Sequence, residues 1–311
     1  MNPAFSVIFL TTLIGTGQGL FIAVVFGQPY SGSGISNYGL VATILAFAFL
    51  AAGLLASFFH LGRPERAWRA VTKWRTSWLS REVIVLPIAM ILVLIYAVVQ
   101  WIPGLVDGKI MNTIGLVGVF VMLVLFFCTA MIYACVKFLQ EWATPWTIIN
   151  YTVLGTASGF VLATALSAIL DVERLGDFRS LAIAFTVIGL ITRLFSFHRN
   201  NRIKYRSSIQ TAVGIKHRKI TQRSMGHTGG SFNTRAFFHH CSDTLISNLR
   251  LTVIIIVFVI PVAMLILYGL FPREEILWAA FVVQFIGLLA ERWLFFAQAN
   301  HPQNLYYQTV S

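Results

Sequence analysis

An all-α integral membrane protein with eight transmembrane helices is the fold class this sequence predicts, and three observations predict it. The 311-residue chain is 57% hydrophobic and only 11% charged, far from the composition of a soluble domain. Eight apolar runs, at about 5–27, 40–59, 83–101, 114–136, 147–169, 181–197, 251–271 and 276–296, each approach the ~20 residues that cross ~30 Å of hydrocarbon. The basic residues, finally, fall on one side of the membrane that these runs draw. If successive connections alternate sides, one face receives Arg63, Arg66, Arg69, Lys73, Arg75, Arg81, Lys137, Arg193 and the ten basic residues from Arg199 to Arg250. That is 18 charges, against Lys109, Arg174, Arg179 and Arg273 opposite, with Arg292 left inside a span.

Helices are the expected spanning form, because lipid offers open backbone groups no partners and the runs are too long and continuous for barrel strands. The positively charged side is expected to be cytoplasmic, which gives a multi-pass protein of a bacterial inner membrane with both termini inside. The same bias accounts for the net charge of +12, so no nucleic-acid partner is implied.

The first span carries Gly15, Gly17 and Gly19 around Gln18. Gly15 and Gly19 form a small-xxx-small pair that lets another helix approach closely. This span is expected to be retained, because Met1-Asn2-Pro3 offers no basic n-region and Gly27-Gln28-Pro29-Tyr30 is a poor cleavage site. The second span ends Phe58-Phe59-His60 and the sixth ends Phe195-Ser196-Phe197-His198, each running into a basic loop. Four crossings restore orientation, so this faint repeat suggests two four-helix bundles, although an aromatic belt followed by basic residues is common at any interface. In the fourth span Cys128 and Cys135 lie seven apart and read as packing residues. Three cysteines without a C-x-x-C do not ligate an iron–sulfur cluster by themselves, and no metal site is expected. The 198–250 connection is basic and rich in Ser, Asn and Gly, with too few apolar residues to bury a core, so it is expected to be disordered or ordered by a partner.

Glu291 and Arg292 sit in the eighth span, where charges tend to face the bundle or snorkel. Adjacent helical residues point about 100° apart, so each is expected to pair with other groups rather than with its neighbour. They serve either as structural bracing or at the edge of a ligand pocket. The spans otherwise contain almost no ionisable residues and no paired broken helices, which argues against a secondary transporter.

The densest reactive cluster is the connection between the second and third spans. His60 closes one helix, Glu82 opens the next, and the loop between them returns both to one membrane depth. A protonatable pair at the water–lipid boundary suits quinone chemistry, in which a lipid-soluble head group exchanges two electrons and two protons. Imidazole can hydrogen-bond a quinone oxygen, and a carboxylate can relay the proton. Arg63 and Arg81 flank the pair, and Trp68, Trp74 and Trp78 could wall a pocket. Each has a plainer reading: an interfacial histidine, a glutamate at a helix N-terminus with Ser80 as N-cap, interfacial tryptophans, and arginines on anionic lipid heads.

His60-Leu-Gly-Arg-Pro64, the following Ala-Trp-Arg-Ala stretch, Leu79-Ser-Arg-Glu-Val83, Thr144-Pro-Trp146 and Arg292-Trp-Leu-Phe-Phe296 together resemble the anchor subunit family of dimethyl sulfoxide reductase. The resemblance spans most of the chain. It implies a subunit that holds an iron–sulfur electron-transfer subunit and a molybdopterin catalytic subunit on the bilayer and exchanges electrons with ubiquinone or menaquinone. By motif, His60 is then the quinone-site histidine and Glu82 the acidic residue that supports it. The molybdopterin and the clusters belong to the partners, no catalytic centre lies in this chain, and no haem is expected, in keeping with the lack of an interior bis-histidine pair. The quinone motif shares the positive face, which favours the related branch that works on the cytoplasmic side, the membrane-bound sulfite dehydrogenases. The alternative within the family is a dimethyl sulfoxide reductase anchor that oxidises menaquinol.

Overall fold

The computed structural model describes residues 1–27, 37–59, 61–102, 104–223 and 236–306. Among them are eight helices long and apolar enough to cross a membrane: α1 (Phe5–Gly27), α2 (Asn37–Phe58), α3 (Trp78–Trp101), α4 (Gly108–Ala134), α5 (Pro145–Leu170), α6 (Leu175–Asn200), α7 (Asp243–Tyr268) and α8 (Glu274–Ala297). No strand occurs among the described residues. Most helices start before their apolar runs, because the first turn can be polar where its free N–H groups are capped. Ser77 caps α3 by accepting from Ser80 N at 3.3 Å, and Ser242 likewise caps α7. Ser80, the cap expected from sequence, is the donor in that bond and lies buried one turn inside the helix.

The helices form two closed groups of four. In the first, α1 and α3 each pack on both α2 and α4; in the second, α5 and α7 each pack on both α6 and α8. The groups join through α1 and α5, the most buried of the eight helices. At this seam the backbones touch: a Cβ built on Gly19 would collide with the Gly155 carbonyl, and one built on Gly159 with the backbone of Gly19 and Leu20. Thr16 and Ser158 hydrogen-bond across the seam at 3.0 Å. The two segments also match in sequence, Thr12-Leu-Ile-Gly-Thr-Gly-Gln-Gly19 against Thr152-Val-Leu-Gly-Thr-Ala-Ser-Gly159, so each half begins with the same small-residue helix. Gly159→Ala is expected to cost about 1–3 kcal/mol through overpacking, read as a lower thermal midpoint of the detergent-solubilised protein. An unchanged midpoint would mean that the seam opens freely.

The outer helices turn apolar side chains such as Ile91, Leu94, Ile191 and Leu251 outward, as lipid-facing surfaces require. In α7 a π-turn at Ile255–Val259 precedes Pro261, whose missing N–H leaves the Val257 carbonyl without its helical donor. Gln284 Nε2 from α8 donates to that carbonyl at 3.3 Å and to Thr186 Oγ1 at 3.3 Å.

Parts of the 198–250 connection pack on the basic end of the bundle. Tyr205 donates to Glu141 Oε1 at 2.7 Å, and burial together with this bond pushes its hydroxyl up to about 12. The same carboxylate oxygen accepts from Asn300 N at 3.1 Å. Phe237 stacks on His301 with ring centroids 3.9 Å apart, and Tyr306 donates to Ala212 O at 2.7 Å. The connection and the segment after α8 therefore hold each other. Residues 224–235 of this connection lie outside the described residues.

Candidate functional site

Glu82 lies one turn inside α3 and is 6% exposed. It points into the first four-helix group, where Thr129 of α4 donates to its Oε1 at 2.5 Å. No Lys or Arg among the described residues reaches salt-bridge distance of it. A carboxyl whose partner is a hydroxyl can take up or release a proton without breaking an ion pair. On the outer side of α3, Trp78 meets Phe127 of α4 edge to face at 5.4 Å, and the Arg81 guanidinium lies 4.0 Å from the Trp78 ring centroid. Arg81 also donates to the Trp74 and Arg75 carbonyls, both at 2.9 Å, which fixes the end of the preceding turn. Phe127 is 41% exposed on the same outer surface, so Trp78, Phe127 and Arg81 form an aromatic and cationic wall where the lipid meets the basic end.

Arg63 is exposed at the start of a 3-10 helix, Pro64–Lys73, that buries none of its residues. Trp68 and Trp74 on this strap are exposed, each with a neighbouring arginine over its ring, Arg69 at 5.6 Å and Arg75 at 5.4 Å. Among the described residues no ion pair ties Arg63 to the wall. His60 lies outside the described residues.

Glu291 and Arg292 belong to a second cluster, between α5, α6 and α8. Glu291 is fully buried, with Oε1 2.8 Å from Arg193 Nη2 and Oε2 3.1 Å from Arg292 Nε. The sequence expectation that Glu291 and Arg292 pair elsewhere is half right. Glu291 does find Arg193, but its second oxygen turns back to Arg292, because two carboxylate oxygens and a long guanidinium arm span the angle between adjacent positions. Neither side chain snorkels, with Arg292 4% exposed. Arg193, counted in the sequence with the loop charges, is 2% exposed inside α6, so the interior carries more charge than the apolar runs suggested.

Aromatic rings connect the two clusters. Arg292 Cζ stands 3.9 Å from the ring centroid of Tyr151, and Tyr151 stacks on Tyr133 at 5.7 Å, one turn along α4 from Thr129. Glu82, Thr129, Tyr151, Arg193 and Glu291 all lie four to seven residues inside the same end of their helices. At 1.5 Å per residue they form one polar layer roughly 6–11 Å below the basic end. Trp142 closes the layer from that end, donating to Phe295 O at 3.0 Å and stacking on Phe295 at 5.5 Å. Sequence reading found Glu82, Glu291 and Arg292 but missed Thr129, Tyr133, Tyr151 and Arg193. Only Arg193 had a signal, since it falls within the sixth apolar run.

Residues 1–297 match the model of the DMSO reductase anchor subunit (DmsC) family. The chain belongs to this anchor-subunit family. It is also 50% identical, over the full length of both chains, to a sulfite dehydrogenase subunit of Allochromatium vinosum. Membership makes it a multi-pass membrane protein and the anchor subunit of a multi-subunit oxidoreductase. The stretches that carry the resemblance fall on structural features: Leu79-Ser-Arg-Glu-Val83 forms the first turns of α3 with the wall and the buried carboxyl, Thr144-Pro-Trp146 starts α5, and Arg292-Trp-Leu-Phe-Phe296 supplies both the ion cluster and the aromatic closure.

Proposed function

We propose that this chain is the membrane anchor and quinone-reactive subunit of a molybdopterin and iron–sulfur oxidoreductase, and that it passes electrons from sulfite oxidation in its partners to the quinone pool. The observation that carries this reading is Glu82: a buried carboxyl held, among the described residues, by a hydroxyl alone, behind an aromatic and arginine wall at the lipid boundary. The wall suits a quinone ring. Trp78 and Phe127 offer flat apolar surface to a head group entering from lipid, and Arg81 supplies a fixed cation beside it. Ubiquinone or menaquinone would accept the electron pair, and the chain's own groups would handle the protons. His60 is the group assigned to the quinone oxygen, and Glu82 the group that stores a proton one turn deeper. Arg63 belongs to the loop that leads from His60 toward the wall. Glu291 and Arg292 stand behind Glu82 in the polar layer rather than in the wall. The name of the 50%-identical relative favours sulfite as the partner's substrate over a dimethyl sulfoxide reductase anchor that oxidises menaquinol.

The charge partition supports a cytoplasmic basic end, with both termini inside and the protein in the bacterial inner membrane. There Arg63, Arg66, Arg69, Lys73 and Arg75, with the 198–250 connection, provide the surface for an iron–sulfur subunit. Purified under mild conditions, the chain should bring with it one iron–sulfur protein and one molybdopterin protein, and the complex should reduce a soluble quinone analogue with sulfite. Purification without those partners, or sulfite oxidation indifferent to quinone, contradicts the reading. A reporter fused after Ser311 should work only as a cytoplasmic reporter; alkaline phosphatase activity at that fusion would reverse the topology.

A further inference from the structure

The Glu82–Thr129 pair and the Arg193–Glu291–Arg292 cluster lie on opposite sides of the seam between the two four-helix groups. Between them is a small cavity of about 20 Å³, walled by α1, α4, α5 and α8, and Thr12, Thr16, Gln18, Thr129, Tyr151 and Arg292 all line it. A space of roughly 10–15 Å³ by this measure already admits a water, and such cavities are wet when polar groups converge on them. Most of the threonines in these helices spend their hydroxyls on the carbonyl one turn back, as Thr11, Thr16, Thr156 and Thr164 do. Thr12 does not. It is 4% exposed, and its Oγ1 has no hydrogen-bond partner among the described residues. A buried hydroxyl left in this state is rare unless water completes it.

We propose that this cavity is an internal water site, and that Thr129 passes protons between that water and Glu82. The inference rests on the reading of Glu82 as the proton-storing group of a quinone site. Thr129 has one hydroxyl hydrogen, which it gives to Glu82 Oε1, and free lone pairs that can accept from water. Arg292 on the far wall is a fixed cation, so it draws the water oxygen towards itself and turns the hydrogens towards the hydroxyls. When the Glu82 carboxylate takes up a proton, the Thr129 O–H bond breaks and a new O–H bond forms on Glu82. Thr129 recovers a hydrogen from the water, and the water recovers one from exchange with solvent. The net change is one proton moved from solvent to Glu82, and the reverse sequence releases it.

Two measurements on the intact complex test this. X-ray radiolysis in ¹⁸O-water generates hydroxyl radicals from bound water, which label the side chains beside it. Labelled oxygen should appear on Tyr151 and Phe126, deep in the bundle, and its absence there while exposed Trp68 and Trp74 are labelled would show a dry cavity. Thr129→Val keeps the shape and removes the hydroxyl. Quinone-linked turnover should fall on the order of a hundredfold, the low end of what a positioned proton-transfer group contributes, with a larger solvent deuterium isotope effect. Thr129→Ser should restore both. A Thr129→Val complex with normal turnover and isotope effect overturns the relay even if Glu82→Gln is impaired. If Glu82→Gln itself turns over normally, the quinone-site reading fails and the relay with it.

Discussion

His60→Ala is expected to abolish quinone-linked turnover, by about a thousandfold or more, while the complex still assembles and still oxidises its soluble substrate with an artificial acceptor. Imidazole is the one side chain in this connection whose ordinary pKa lets it both hydrogen-bond a quinone oxygen and exchange a proton near neutral pH. Alanine removes both capacities without adding bulk. The artificial acceptor takes electrons before they reach the membrane, so its activity separates a lost quinone step from a lost enzyme. Glu82→Gln should give a milder defect. The amide still fits beside Thr129 but holds no transferable proton, and its turnover should lose the part of its pH dependence that Glu82 contributes. Normal quinone-linked turnover in His60→Ala would reduce His60 to an interfacial residue and leave the proposed quinone site without its histidine.

The bundle was legible in the sequence because lipid allows few solutions: an apolar run of sufficient length must be a helix. The limits of each helix were less legible, since polar first turns such as Asp243–Leu245 read as loop until a cap like Ser242 is recognised. Gly15 and Gly19 were readable as a place of close approach, but their partner was not named. It could have been, because Thr152–Gly159 repeats the Thr12–Gly19 pattern, and the halves meet where that pattern recurs. The candidate site was half legible. Glu82 stands out as an acidic residue at the start of an apolar run, whereas Thr129, Tyr133 and Tyr151 are ordinary residues for a membrane helix and acquire meaning only from what they face. Arg193 was assigned to the wrong environment by its nearness to the end of a run. A count of charges by loop cannot tell an arginine that leaves the bundle from one that turns into it.

That misplaced arginine decides the largest stability effect. Arg193 and Arg292 both lean on the single carboxylate of Glu291, so the cluster already carries one more positive than negative charge in a region shielded from bulk solvent. Glu291→Ala would leave two buried guanidinium groups with like charges facing each other across an empty position. Breaking a buried ion pair from one side costs roughly 3–5 kcal/mol, because the surviving charge keeps its desolvation penalty and loses its partner. Here two charges lose the same partner. The expected outcome is poor accumulation of the subunit, or a sharply lower thermal midpoint and release of the partner subunits in detergent. Cation–π contacts cannot take over: Arg193 stands 4.5 Å from the Phe197 ring and Arg292 3.9 Å from Tyr151, and both contacts already exist in the intact protein. Glu291→Gln should fall between, since its amide oxygen still accepts a hydrogen bond from one guanidinium but neutralises neither. If Glu291→Ala accumulates and melts as the unaltered protein does, bulk solvent must reach Arg193 as well as the internal site beside Arg292, and the joint between α5, α6 and α8 is open rather than sealed.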